Sequence, residues 1–328
     1  MAGDTDTALV QADEDEQHRR FRDDVLSGLA QEQKTIPARY FYDLRGSELF
    51  EEITAAPEYY PTRSEIEILK TQCDAFRRDI GPGRGVVDFG AGSTAKTPLL
   101  LDCIDPVFYV PIDISGEFLR DSCEALQRRY PDMPIFPIEA DFTRPVPMPS
   151  EVSGQELLGF FPGSTIGNLE PAGAVDLLRA MRSTLGDNAL LLIGMDRIKD
   201  PDVLEAAYDD AGGVTAAFNR NLVTRMNREL GADIPEEAIR HRAIWNPDRA
   251  RIEMHLEATR EIRFEVAGER FTMREGETIH TENSHKYDER SAATLLIAGG
   301  WDPVRHYTDS GNRFMVVLAQ AAPESVGP

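Results

Sequence analysis

The sequence predicts an α/β fold, with a helix-wound parallel sheet in one domain and a second, mixed α+β lobe. Three observations carry this expectation. Short apolar runs alternate with helical stretches from Val86 to Ile193. A glycine loop, Gly90-Ala91-Gly92, follows the first run. After Asp196 the rhythm changes to a long amphipathic helix and then to period-two alternation. A chain of 328 residues accommodates two such bodies.

Taken in chain order, residues 1–16 hold Asp4, Asp6 and the acidic run 13–16, and are expected to be a disordered tail. A short helix is expected over 21–29. Tyr40, Phe41, Tyr42 and Phe50 follow, and Glu58-Tyr59-Tyr60-Pro61-Thr62-Arg63 breaks the helical pattern at Pro61. A helix resumes over 64–78. Strands are expected at 86–89, 107–112, 135–138, 157–161 and 189–193, with helices at 94–102, 118–130 and 172–185 between them. Phe218, Leu222, Met226 and Leu230 recur at four-residue steps and stop at Gly231, the mark of a helix over 215–230. Ile252, Met254 and Leu256, then Ile262, Phe264 and Val266, then Phe271 and Met273 alternate with polar residues, with Ala267-Gly268 as a hairpin turn. A helix over 292–298 and strands at 301–307 and 314–318 close the chain. The expected division is a tail at 1–16, one lobe from 17–63 and 197–285, and the α/β domain from 64–196 and 286–328.

Lys and Arg total 35 against 57 Asp and Glu, a net charge of -22. So acidic a surface repels phosphate backbones and anionic lipids, which argues against nucleic-acid and membrane partners and leaves a cationic or zwitterionic small molecule open. No apolar run reaches the ~18 residues of a membrane span, and the N-terminus lacks the basic and apolar regions of a secretory signal. Cys73, Cys103 and Cys123 lie far apart, which suits reduced thiols in a cytoplasm. The six His form no HxxxH or HxH pair, so no metal site is expected. The expectation is a cytoplasmic monomer with a small-molecule substrate.

The glycine loop is the first chemical signal. It ends a strand and opens a helix, so backbone N–H groups can approach a ligand. Gly90-x-Gly92-x-x-Ala95 formally fits the dinucleotide fingerprint, with Asp113 where a ribose-binding carboxylate would sit. A tight turn with no ligand is the plain alternative. Against a dinucleotide, Asp88 stands where an apolar residue is usual. Asp88-x-Gly90-x-Gly92 resembles motif I of class I S-adenosylmethionine methyltransferases, and a carboxylate suits a sulfonium cofactor better than a pyrophosphate. Asp113 can accept from both ribose hydroxyls, Asp141 from the adenine amine, and Phe142 can stack on the base. Singly, Asp141 reads as a helix cap and Phe142 as core. Together they mark the carboxyl ends of strands, where α/β folds bind ligands.

A second loop, Gly163-Ser164-Thr165-Ile166-Gly167-Asn168-Leu169, follows the fourth strand. Asn168 offers donors and an acceptor there, or serves as a left-handed turn residue. This block is joined by Phe41-Tyr42-Asp43, by Pro57-Glu58-Tyr59-Tyr60-Pro61-Thr62-Arg63, by Tyr208-Asp209-Asp210 with Thr215-Ala216-Ala217-Phe218-Asn219-Arg220-Asn221, and by Thr281-Glu282-Asn283-Ser284-His285-Lys286-Tyr287. With these blocks, from about residue 20 to the C-terminus, the chain resembles the histidine Nα-methyltransferases of ergothioneine biosynthesis. The resemblance implies a Rossmann-like class I methyltransferase domain with a substrate-binding lobe. It implies three methyl transfers from S-adenosyl-L-methionine to the α-amino group of L-histidine, giving hercynine, with the ligand in a cleft between the lobes. By position it implies that Tyr59, Asn168 and Tyr208 hold the substrate carboxylate and that Tyr42 and Asn168 face the amine. It gives Glu282 and Ser284 to the imidazole, Met254 and Phe50 to the pocket wall, and Gly90, Lys96, Asp113, Asp141 and Phe142 to the cofactor, which Tyr42 would also touch.

The residue types suit that chemistry. In-line methyl transfer mainly needs a neutral amine placed behind the methyl group. Neutral phenol and amide groups tolerate the loss of N–H donors as the nitrogen is methylated, and a carboxylate at Glu282 selects a ring bearing an N–H. Each residue also has a plainer reading: Tyr59 and Tyr60 as packing at a lobe junction, Tyr208 as a helix-surface aromatic, Met254 as core in phase with Ile252 and Leu256, Lys96 as a surface lysine, and Glu282 with Ser284 as a solvated strand face. Three rivals remain: methylation of another aromatic amino acid, an NAD-dependent oxidoreductase, and a nucleotide-binding module without catalysis.

Overall fold

A computed structural model describes residues 3–91 and 95–323. The chain forms two compact units, Met1–Tyr59 with Asp200–Ser284, and Tyr60–Lys199 with His285–Pro328. Gly92, Ser93 and Thr94 of the glycine loop lie outside the described residues.

The first unit opens with helix α1 (Gly3–Leu29), strand β1 (Lys34–Thr35), a 3-10 turn at Ala38–Phe41 and helix α2 (Leu44–Ala55). The acidic segment expected to be disordered is therefore helical from Gly3. Its Ala, Leu, Gln and Glu are good helix formers, and Arg20 pairs with Glu16 one turn away.

The second unit begins with α3 (Tyr60–Thr71) and α4 (Cys73–Ile80). Pro61, expected to break a helix, sits in the first turn of α3, where its missing N–H costs nothing. The β/α alternation follows: β2 (Gly85–Phe89), α5 (Thr97–Ile104), β3 (Tyr109–Asp113), α6 (Gly116–Arg129), β4 (Ile138–Glu139), β5 (Leu157–Phe161), α7 (Pro171–Leu185) and β6 (Leu190–Asp196). The chain then supplies α8 (Pro201–Tyr208), α9 (Val214–Glu229), β7 (Ile239–Asn246), β8 (Arg251–Ala258), β9 (Ile262–Val266), β10 (Glu269–Met273) and β11 (Thr278–His285), which build up the first unit. It closes in the second unit with α10 (Glu289–Ala298), β12 (Trp301–Thr308) and β13 (Phe314–Ala321).

The second unit's sheet has seven strands in the order β12-β13-β6-β5-β2-β3-β4. Strands β2 to β6 pair in parallel, while β13 runs antiparallel to both β6 and β12. A parallel sheet whose last strand is inserted antiparallel is the class I methyltransferase fold. Both faces are apolar because helices cover both. Val87 and Phe89 join one buried cluster and Val86 the other, as alternation along a strand dictates. Gly90 and Asp113, two of the residues expected to hold the cofactor, lie where β2 and β3 end.

The first unit's main sheet has the order β1-β11-β8-β7, and β9 with β10 forms a separate hairpin. Ala267 and Gly268 both take positive φ in that turn, as a tight two-residue hairpin requires.

Cys73 and Cys103 are joined in a disulfide, which corrects the expectation of three reduced thiols. They are 30 residues apart in sequence, but packing of α4 on α5 brings their Cα atoms within 5.2 Å. Cys123 remains free, and the cysteines no longer speak for a reducing compartment. No helix among the described residues is long and apolar enough to cross a membrane.

Candidate functional site

In the first unit, four separate stretches bring their aromatic residues together. Tyr42 lies edge-on to Phe50 with centroids 5.7 Å apart, Phe50 to Tyr59 at 6.5 Å, and Tyr59 to Tyr208 at 6.1 Å. Tyr208 and Ser284 share a hydrogen bond of 2.6 Å between hydroxyls. Tyr42 keeps 44% of its surface exposed, while its ring meets Phe50 and Phe218 edge-on. Loss of water first, then the Glu282 carboxylate and the hydroxyls of Tyr59 and Tyr208, push its pKa well above the ordinary phenol value. Tyr42 therefore stays a neutral donor at any physiological pH. Six of the seven residues expected at the amino-acid site in this unit thus converge: Tyr42, Phe50, Tyr59, Tyr208, Glu282 and Ser284. Met254 is buried in β8, where its carbonyl lies 3.0 Å from the Thr281 hydroxyl.

Local structure explains why these residues hold still. Asp43 caps α2 by accepting from Gly46 N–H, and Asn221 and Arg228 bind the same carboxylate. Burial alone would raise the Asp43 pKa, but those donors bring it below the usual carboxylate range. Tyr42 is thereby tied to both α2 and α9. Asp210 caps α9 by accepting from Val214 and Thr215 N–H. His241 hydrogen-bonds the Tyr208 carbonyl through Nε2 at 2.8 Å. A carbonyl can only accept, so Nε2 carries the proton and Nδ1 accepts from Asn219 at 2.8 Å. Burial also lowers the His241 pKa and keeps the ring neutral. The other end of Asn219 accepts from Thr281. Phe218 stacks on Phe41 at 4.5 Å and also touches Tyr42 and Phe50. Sequence reasoning gave Phe218 to the helix core and assigned no role to Asn219 or His241. His241 sits in β7, a strand that no clean alternation announces.

In the second unit, Gly90 turns the chain with φ +77°, and a Cβ there would sit 3.5 Å from the Phe142 ring. Phe142 also meets Phe89 and Phe161, so it closes the ends of β2 and β5. Asp113 ends β3 half-buried. Burial raises its pKa, while Ser115 N–H, bonded to Oδ1 at 2.9 Å, pulls the other way. Asp141 accepts from the N–H and hydroxyl of Thr143, so it fixes a turn and not the helix N-cap that was its plainer reading. Asp88 is buried and its pKa is pushed up to about 6. Desolvation does this, opposed by hydrogen bonds from Thr97 and Tyr109. Both donors reach Oδ2; Oδ1 is buried with no hydrogen-bond partner among the described residues.

Lys96 is no surface lysine. Its ammonium pairs at 2.5 Å with Glu65, which is 1% exposed and also accepts the Gly163 N–H at 2.9 and 3.1 Å. One buried carboxylate of α3 therefore pins the loop carrying Lys96 to the loop that leads to Asn168. Nothing in the pattern around Glu65 marks it. In that second loop it is Ser164, not Asn168, that adopts left-handed φ; Asn168 closes a 3-10 turn. Gly167 lies so close to His285 that a Cβ would stand 2.8 Å from its carbonyl oxygen. Beneath the loop, Asp196 accepts from Tyr60, Lys199 and Lys286, and its backbone N–H binds Ser164 Oγ. Burial would raise the Asp196 pKa, but the two ammonium groups win and lower it, while desolvation brings Lys199 down to about 8.

A family model for histidine-specific, S-adenosylmethionine-dependent methyltransferases matches residues 21–321. The chain belongs to that family. It is 39% identical to the histidine N-alpha-methyltransferase of Mycobacterium tuberculosis over 93% of this chain and 96% of that one. It is 38% identical to the same-named protein of Mycolicibacterium smegmatis over 91% and 94%. Ergothioneine biosynthesis protein 1 of Neurospora crassa is 27% identical over 88% of this chain but 33% of its own length. As a member of this methyltransferase family the protein depends on S-adenosylmethionine, and the residues present fit that molecule. The buried Asp88 Oδ1 has acceptor capacity to spare, Gly90 leaves room against Phe142, and Asp113 ends the neighbouring strand.

Proposed function

We propose that this methyltransferase transfers three methyl groups in succession to the α-amino nitrogen of L-histidine, giving hercynine, in ergothioneine biosynthesis. The observation that carries the reading is the convergence of Tyr42, Tyr59, Tyr208 and Ser284 with Glu282 in one unit. The same-named mycobacterial relatives support it.

In this reading Tyr59, Tyr208 and Asn168 donate to the substrate carboxylate, and neutral donors suffice because a carboxylate accepts strongly. Glu282 accepts an imidazole N–H and Ser284 donates to the other ring nitrogen. Phe50 and Met254 line the ring. Tyr42 and Asn168 face the amine. Gly90, Asp113, Asp141 and Phe142 take the cofactor's methionyl end, ribose and adenine, with Lys96 held nearby by Glu65. S-adenosylmethionine supplies the electrophilic methyl. The amine first gives its proton to water. Its lone pair then forms the N–C bond as the C–S bond breaks and the sulfur leaves as a thioether. Two repeats leave a quaternary nitrogen without N–H. Tyr42 and Asn168 lose nothing costly at each step, because neither is charged.

The test is mass spectrometry of the purified protein with S-adenosylmethionine and all twenty amino acids. Histidine should gain three methyl groups. Methylation of tryptophan or tyrosine in its place would keep the reaction and overturn the imidazole assignment.

A further inference from the structure

On the sheet of the first unit, β8 and β11 are neighbours. They bring Glu253, His255 and His280 together, with one metal-binding type of atom from each lying within 4.8 Å of the others. Glu253 and His255 are two apart on β8, so they share the face opposite Met254. The proposed substrate site does not use this cluster. His255 is 6% exposed, while Glu253 and His280 are half-buried, which leaves a path from solvent.

Hydrogen bonding fixes the form of one ring. His280 Nε2 lies 3.0 Å from the Glu282 carbonyl, which can only accept, so Nε2 carries the proton and the Nδ1 lone pair is left. His255 Nε2 and Glu253 Oε2 lie 3.3 Å apart, a spacing at which both can hold one ion. An ion between them would take the Nε2 lone pair and leave the His255 proton on Nδ1. An imidazole whose far N–H is held by a backbone carbonyl, as in His280, is a usual arrangement of a metal-binding histidine. The rings stack at 4.8 Å with planes 20° apart.

We propose that Glu253, His255 and His280 bind one divalent transition-metal ion. The charges nearby say which kind. Arg251 and Asn246 occupy Glu253 Oε1, and Arg242 is paired with Glu257. The cluster thus has little net negative charge to attract a hard cation. Affinity must come from neutral imidazoles, which favour Zn2+, Ni2+ or Cu2+ over Mg2+ and Ca2+. A tetrahedral zinc site needs donor atoms about 3.3 Å apart, so the side chains close inward on the ion.

The test uses the full chain, stripped with a chelator and titrated with Zn2+ against a chromophoric competitor. Co2+ absorption is a second probe. One Zn2+ should bind per chain, with affinity falling at least 10-fold in His255→Gln and in His280→Gln. Both variants should keep the unfolding temperature and S-adenosylhomocysteine affinity of the parent, which separates a lost site from a lost fold. Co2+ should give ligand-field bands that vanish with either substitution. Zn2+ retention by the double variant equal to the parent's, absence of Zn2+ binding by the parent, or equal binding of Mg2+ would each overturn the proposal.

Discussion

The aromatic cluster of the first unit is assembled from four separate stretches of chain and carries one carboxyl group, Glu282. The cluster at the strand ends of the second unit follows the chain in order, from Asp88 through Asp113 to Asp141, and is acidic. Order in sequence comes with the β/α repeat, which delivers each strand's carboxyl end to one edge. The aromatic cluster has no such repeat and depends on caps and buried bonds, such as Asp43 on α2 and His241 on Tyr208. The lesson is that the acidic cluster should fail one ligand contact at a time, while the neutral one should fail through its supports as well.

Four substitutions test this, from the largest effect to the smallest. Asp113→Ala would remove the proposed acceptor for two ribose hydroxyls; at about 1.5–3 kcal/mol for each charge-assisted bond, S-adenosylhomocysteine affinity should fall at least ~100-fold. Calorimetry reads this directly, and an unchanged affinity would take Asp113 out of the site.

Asp88→Asn has two signs. The folded-state pKa, about 6, is raised above the ordinary carboxylate value, so the folded chain holds its proton longer than the unfolded chain does. Stability contributed by this group therefore falls as pH rises from about 4 to 6, and the full penalty stands at pH 7. Two pKa units correspond to at most about 3 kcal/mol. The amide should raise the melting temperature at pH 7, flatten that slope relative to the parent, and weaken cofactor binding. A lower melting temperature at pH 7 would show the carboxylate to be ionised at no cost.

For Glu282→Ala, loss of one charged hydrogen bond predicts a roughly 10–100-fold rise in the histidine KM with cofactor affinity intact. Equal loss for histidine and tryptophan would end its role in choosing the ring. The smallest effect is expected of Phe218→Leu, which keeps most of the volume but gives up aromatic pairs with Phe41, Tyr42 and Phe50. About 1 kcal/mol of stability should go, with a modest rise in histidine KM, because Tyr42 loses its backing. Stability lost without any change in KM would make Phe218 packing alone.

Much of the second unit was legible because its signals are local. Apolar runs mark β2, β3, β5 and β6, and glycine marks the turn after β2. The misreadings are local too. Pro61 signals a break or a first turn equally well, and an acidic run speaks for disorder until its neighbours continue the helix. Long-range pairs left no trace. Cys73 meets Cys103 only because two helices pack, Glu65 finds Lys96 and Gly163 from 31 and 98 positions away, and His255 meets His280 across two strands.

The sequence by itself determined the β/α alternation, the glycine turn and the acids that end the strands, since hydrophobic period and backbone freedom act over a few residues. It also carried the long blocks that resemble one methyltransferase family. Only the tertiary structure decided which neutral side chains face Tyr42, which nitrogen of His241 and of His280 carries the proton, and which carboxylate holds Lys96. Hydrogen bonds and desolvation depend on distance in space, and a linear pattern does not record that distance.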